Sequence, residues 1–179
     1  GIAHILSLNK QLQGKGIASV ATSSWNDLMN FKKSFTEPKI SKTESGLKEV
    51  GVVAYHGRAK FIAENTIQVN ENILYAEKFV IANGAAPAKL CIPGEDLLID
   101  STAFLELEEL PKEILLVGGG FIAFEFAHIV SRFGAKEPII HRGERPFSNF
   151  DADLVKLLIK ASEDLGIKVI LDEEVKDMT

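Results

Sequence analysis

The stretch 114-ILLVGGGFIAFEFAHIV-130 decides the fold. It is apolar along most of its length, yet Gly118, Gly119 and Gly120 interrupt it and Glu125 sits inside it. A core helix would lose about 1 kcal/mol at each interior glycine relative to alanine. A membrane span needs about 18 or more uninterrupted apolar residues, and the glycines and Glu125 break this run well short of that. The remaining reading is a strand, a tight turn and a helix. Residues 113–117, EILLV, then form a buried strand, and residues 120–133 form a helix ended by Gly134.

The same alternation continues downstream. EPIIH, 137–141, reads as a second strand. DADLVKLLIKASEDLG, 151–166, reads as an amphipathic helix, with Leu154, Leu158, Ala161 and Leu165 predicted on its buried face. IKVIL, 167–171, reads as a third strand. Strand, helix, strand, helix, strand implies a parallel sheet with right-handed crossovers. In that frame Gly118-x-Gly120-x-x-Ala123 matches the glycine fingerprint of dinucleotide-binding α/β folds. Gly118 permits the turn, Gly120 lets a pyrophosphate approach the backbone, and Ala123 is small enough for helix-to-sheet packing. Gly119 belongs to the same candidate cofactor-binding turn. The competing account is a tight strand-to-helix turn with no ligand.

The end of the second strand selects the nucleotide. An NAD site has Asp or Glu there, about 20 residues after the glycines, to bond the ribose 2′-OH. Here the strand ends in Pro138, Ile139, Ile140 and His141, followed by RGERP. Arg142 and Arg145 are placed to pair with a 2′-phosphate, with His141 as a helper, which favours NADP. The alternatives are two solvated arginines, or Glu144 between them as their partner or as a ribose ligand. Glu125 stands among Phe124, Phe126, Ile122 and Ile129. It either has a functional partner, because an unpaired buried carboxylate is costly, or faces solvent near the helix N-terminus. The residues alone leave both open.

Upstream, residues 2–13 and 24–35 read as helices, the second with Ser24 at its N-cap. Pro38 separates it from a weaker polar helix ending at Gly51. VVAYHGRAKF, TIQVN and ILYAEKFVIANG read as short strands, 85–96 as a loop, and STAFLELEELP as a short helical connector. A domain boundary is expected near 111–113.

Composition narrows the function classes. With 46% hydrophobic and 25% charged residues, the chain is ordinary globular material. The single cysteine, Cys91, excludes an internal disulfide, an internal redox dithiol and a thiolate metal cluster, so no metal site is expected. It fits a reducing, cytoplasmic setting. GIAHILSLNK lacks the features of a signal peptide. Residues 1–60 carry nine Lys or Arg against four Asp or Glu, while the rest is acidic. The lysines are scattered and no nucleic-acid motif accompanies them, so a solvated basic face is the better reading. Neither a nucleic acid nor a membrane is an expected partner.

Taken together, YHGRAKF, FVIANGAAPAKLCIPGED, STAFLELEELP, ILLVGGGFIAFEFAHIVSRFGA, IIHRGERPFSNFD and LGIKVILDEEV resemble the FAD-dependent pyridine nucleotide-disulfide oxidoreductases. The likeness is greatest to the glutathione reductase branch. It implies an incomplete Rossmann-like FAD/NAD(P)-binding α/β fold with a parallel βαβαβ unit in the C-terminal part. Residues 1–112 would be the later part of the FAD domain and 113–179 the first half of the NAD(P) domain. It implies an enzyme in which NADPH gives a hydride to FAD, then electrons pass to a redox disulfide that reduces a small-molecule disulfide. By similarity Arg58 and Ala59 would lie by the FAD adenine, and Ala82, Asn83 and Gly84 would form a loop passing the flavin. Phe121 would cover the nicotinamide pocket. Ile122 and Glu125 would sit near the flavin, Glu125 paired to a lysine.

The chain departs from the family in three respects. Asn83 replaces a threonine, Phe121 replaces a tyrosine, and the redox cysteine pair and the first FAD fingerprint are missing from these residues. The chain therefore resembles an internal piece of a longer homodimeric enzyme and is expected to be inactive alone. An NAD(P)H oxidase or peroxidase, a dihydrolipoamide-type dehydrogenase, and a non-catalytic NADPH-binding module are the alternatives.

Overall fold

The computed structural model describes residues 1–19 and 21–179. They form two compact units, Gly1–Asn30 with Lys89–Thr179, and Phe31–Ala88. The first unit is built on a parallel sheet of β4 (Leu116–Val117), β5 (Ile139–Ile140) and β6 (Val169–Ile170), side by side in that order. Leu116 pairs with Ile139, and Ile139 with Val169. The regular strands are shorter than the apolar runs that form them. The hydrogen bonds nevertheless reach further, from Lys136 N–H to the Lys112 carbonyl (2.9 Å) up to Gly118 N–H on the Ile140 carbonyl (2.9 Å). Pro138, with no N–H to donate, lies within the middle run and interrupts the ladder there.

Two helices connect these strands, α5 (Phe121–Arg132) and α6 (Ala152–Glu163). On α5 the buried residues are Ala123, Phe124, Ala127 and Val130. That is one stripe of a 3.6-residue period, and its two alanines bring the helix close to the sheet. Ala123, Phe124 and Ala127 pack with Ile139 and Ile167, bordered by Leu116, Phe147, Leu158, Ile159 and Val169. A second cluster gathers Phe104, Val130 and Ala135. Trp25 joins it, its ring edge-on to Phe104 and Phe133 and its indole N–H donating to the Leu107 carbonyl at 2.8 Å. Trp25 opens α2 (Trp25–Thr36), whose N-cap is Ser24 as its sequence predicts: the hydroxyl accepts from Asp27 N–H at 3.1 Å. Helix α1 (Ile2–Leu12) also packs on α5.

The predicted inner face of α6 needs correction. Val155 and Ser162 are buried and Leu158 and Ile159 half-buried, whereas Leu154 is 66% exposed and Ala161 and Leu165 are also exposed. The helix is rotated by about one residue from the leucine stripe. The reason is a polar junction with α5. His128 Nε2 lies 2.9 Å from Ser162 Oγ, which itself donates to the Leu158 carbonyl at 2.8 Å. The Ser162 proton is thus committed, so His128 is the donor and carries its proton on Nε2. Arg132 donates to the His128 carbonyl and approaches Nδ1. Burial, and then the Arg132 charge, hold the His128 pKa below its ordinary value. Glu137 is also buried, and burial raises its carboxyl pKa against the opposing pull of Ser131.

The second unit contains α3 (Lys39–Glu49) and an antiparallel meander of β1 (Ala59–Ala63), β2 (Thr66–Val69) and β3 (Asn72–Tyr75). Pro38 sits at the α3 N-cap, and Gly51 follows the helix end at φ +79°, as the sequence leads one to expect. The predicted strands extend too far. Residues 52–57 and 77–84 form no ladder, and Val80 and Ile81 are exposed. A β-branched run becomes a strand only when a neighbour supplies hydrogen bonds, and among the described residues none does. No helix among the described residues is long and apolar enough to cross a membrane.

The α6 correction has a direct test. Val155→Ala, at a buried position of α6, should cost about 1–3 kcal/mol in denaturant unfolding, while Leu154→Ala should cost less than about 1 kcal/mol. Equal losses would restore the leucine-stripe face.

Candidate functional site

The chain leaves β4 through Gly118, whose φ of +124° is a conformation that side-chain-bearing residues avoid. Gly120 is then the N-cap of α5. Its lack of a side chain has an electrical consequence. Helices α6 and α4 (Ser101–Leu105) are capped by aspartates: Asp151 accepts from Asp153 and Leu154 N–H, and Asp100 from Ala103 N–H. Helix α5 has no side-chain cap and no acidic residue in its first turn. A Cβ built on Gly118 or Gly120 would meet nothing within 4 Å. The first-turn N–H groups of α5 therefore open onto space at the positive end of the helix dipole, where an anion is favoured. This cradle fits the diphosphate of a dinucleotide.

Gly119 is glycine for a different reason. It is buried, and a Cβ there would lie 2.6 Å from Cγ of His141. The His141 ring fills that space, and its Nε2 donates to the Arg145 carbonyl at 3.2 Å. Phe147 N–H donates to the Gly119 carbonyl at 3.0 Å. Phe147 adopts φ +51°, held there by that bond and by packing on Phe124 and Phe150. The exit of the third strand joins them, with Asp172 N–H on the Gly143 carbonyl and Glu173 N–H on the His141 carbonyl, both at 3.2 Å. Three strand ends thus meet at the carboxyl edge of the sheet, where α/β folds bind ligands.

The structure brings some of the predicted residues together within the first unit. Gly118, Gly119, Gly120, Ala123, His141, Arg142 and Arg145 share this edge. Arg142 is exposed, whereas Arg145 is half-buried and donates to the Ser148 carbonyl at 2.7 Å. Phe121 and Ile122 stand exposed on the first turn of α5, and Glu125 is exposed one turn on, the same side as Phe121. Arg58, Ala59, Ala82, Asn83 and Gly84 belong to the other compact unit and are all exposed. Ala59 begins β1, and Gly84 adopts φ +75° outside regular structure. No cluster of three or more His, Cys, Asp or Glu suited to a metal occurs among the described residues. Sequence reasoning missed the ties of Phe147 to Gly119 and of His141 to Gly119. The signal was present: the fingerprint needs its first and third glycines, and the middle one was left without a purpose.

Residues 8–179 match the family model described as pyridine nucleotide-disulphide oxidoreductase. The chain belongs to that family. It is 31% identical to a mercuric reductase of Bacillus cereus over 75% of this chain and 22% of that protein. It is 33% identical to a glutathione reductase of Nostoc sp. over 70% of this chain and 28% of the relative. A dihydrolipoyl dehydrogenase of Mycoplasma genitalium is 29% identical over 90% of this chain and 37% of its own length. The chain thus spans between about a fifth and two-fifths of these relatives. Its fold matches that of the HOCl-induced flavoprotein disulfide reductase RclA from Escherichia coli, with a TM-score of 0.83 at 24% identity, over 98% of this chain and 39% of the other. The expected Rossmann-like α/β class with its parallel unit is therefore the observed one.

A charged cap at Gly120 separates helix stability from anion binding. In Gly120→Asp the carboxylate would take the first-turn N–H groups and repel a diphosphate. Unfolding stability should stay equal or rise by a few tenths of a kcal/mol, while ADP affinity measured by calorimetry falls at least about tenfold. Unchanged ADP affinity would place the ligand elsewhere.

Proposed function

We propose that this chain supplies the NADP-binding edge, and part of the FAD-binding region, of a flavoprotein disulfide reductase resembling glutathione reductase. One observation carries this reading: an uncapped glycine turn lies beside a strand-end loop whose exposed cation is Arg142. The turn would hold the diphosphate through backbone N–H groups, and Arg142 would pair with the 2′-phosphate. Arg145, with one nitrogen already on the Ser148 carbonyl, would stiffen the loop and lend charge. Phe121 would lie over the nicotinamide, with Ile122 and Glu125 facing the flavin. Arg58, Ala59, Ala82, Asn83 and Gly84 would border the FAD. The nicotinamide and flavin supply the hydride chemistry, and the protein supplies orientation and charge.

In this reading residues 1–112 belong to the FAD domain and 113–179 to the NADP domain. Cys91 is the single cysteine, so a redox dithiol would have to come from outside these 179 residues, and the chain alone should not turn over. The substrate would be a small-molecule disulfide and the enzyme a cytoplasmic homodimer, with no nucleic-acid or membrane partner. A second reading is a dihydrolipoyl-type, NAD-linked dehydrogenase. It is favoured by Glu144, exposed in the same loop, and by the long alignment to the Mycoplasma enzyme.

Binding of NADPH and NADH to the chain and its Arg142→Ala and Glu144→Gln variants decides between them. The NADP reading predicts that Arg142→Ala weakens NADPH by about tenfold or more, the worth of a charge-assisted bond, with NADH unaffected. NADH preferred by the parent chain, and weakened by Glu144→Gln, would establish the second reading instead.

A further inference from the structure

We infer that His141 is a positioning residue for nucleotide choice: its ring is the spacer that sets the distance between the diphosphate-binding turn and the arginine loop. This rests on the NADP reading above. The ring lies where a Gly119 side chain would be, with Cγ, Nδ1 and Cδ2 all within 2.9 Å of the ideal Cβ. Its tip also crowds Gly143, whose ideal Cβ would be 3.1 Å from Nε2. Two glycines, one in each loop, thus leave room for one imidazole. Nε2 then fastens the Arg145 carbonyl at 3.2 Å, and the Phe147 N–H bond to the Gly119 carbonyl at 3.0 Å ties the far end of the loop to the same turn.

Arg142 is the residue next to the spacer and lies within the segment so fastened. A guanidinium discriminates a 2′-phosphate only if it meets that group while the diphosphate sits in the turn. The separation of the two elements therefore enters the affinity for the 2′-phosphate and hardly enters the affinity for the diphosphate alone. His141 itself donates to protein, so its effect on the nucleotide passes through the loop.

The test compares dissociation constants of NADP+ and NAD+, which share the diphosphate and differ only in the 2′-phosphate, for the whole chain, with thermal unfolding checked for each variant. His141→Ala should weaken NADP+ by about tenfold and NAD+ by less than about threefold, collapsing the preference. Gly119→Ala, whose methyl displaces the ring, should likewise lower the ratio of the two affinities, whatever it does to the turn itself. The double variant should be no worse than either single, because both remove one spacer. His141→Gln, which keeps a donor able to reach the Arg145 carbonyl, should recover most of the preference. An unchanged ratio in His141→Ala, or additive losses in the double variant, would overturn the inference. Should His141→Ala fail to fold, Gly119→Ala against His141→Gln decides: a lost ratio in the first and a kept ratio in the second support it, and any other pattern overturns it. A parent chain with no preference for NADP+ over NAD+ would remove the NADP reading and the inference with it. A parent with that preference and an insensitive His141→Ala would remove the inference alone.

Discussion

The first N–H groups of an α-helix have no partner within the helix and take one from a side chain, from water or from a ligand. Helices α1 and α3, like α5, have no side-chain cap, but only α5 opens from the end of a parallel strand. Asp100 and Asp151 supply the cap for α4 and α6, while Gly120 leaves the first turn of α5 bare. The omission lies where β4 ends and the sheet opens. Side-chain-free backbone, aligned dipoles and open space coincide there, and the site depends on that coincidence.

The rest of the unit holds this turn in place. Ala123 and Ala127 let α5 lie close on Ile139 and Ile167, which fixes the helix axis relative to the strand ends. At the opposite end of α5, Trp25, Phe104 and Phe126 pack as an aromatic group, and the His128–Ser162 bond sets the rotation of α6. The carboxyl edge is then closed by loops that bond one another rather than the sheet: Phe147 to Gly119, Asp172 to Gly143, and Glu173 to His141. One buried cluster lies under the site, and the groups left exposed at its rim include Phe121, Ile122, Glu125, Arg142 and Glu144.

Much of this was legible because it is local. The turn glycines, the Ser24 cap, the break at Pro38 and the strand–helix alternation after residue 113 each follow from the conformational limits of a few neighbouring residues. What sequence reading misplaced depends on partners distant along the chain. The inner face of α6 is decided by His128, 34 residues before Ser162, which favours a serine over a leucine at the buried position. Val80 and Ile81 read as a strand, yet strand formation needs a neighbouring edge. The purpose of Gly119 depends on a histidine ring from the next strand, a contact that no fingerprint encodes.

The central claim is that the bare first turn of α5 receives a diphosphate. Amide chemical shifts followed by ¹H–¹⁵N NMR during an ADP titration report on that turn directly. The account predicts the largest perturbations at the N–H groups of Gly120, Phe121, Ile122 and Ala123, saturating together with the ligand. Perturbations centred elsewhere, with these four amides unmoved at saturation, would contradict it.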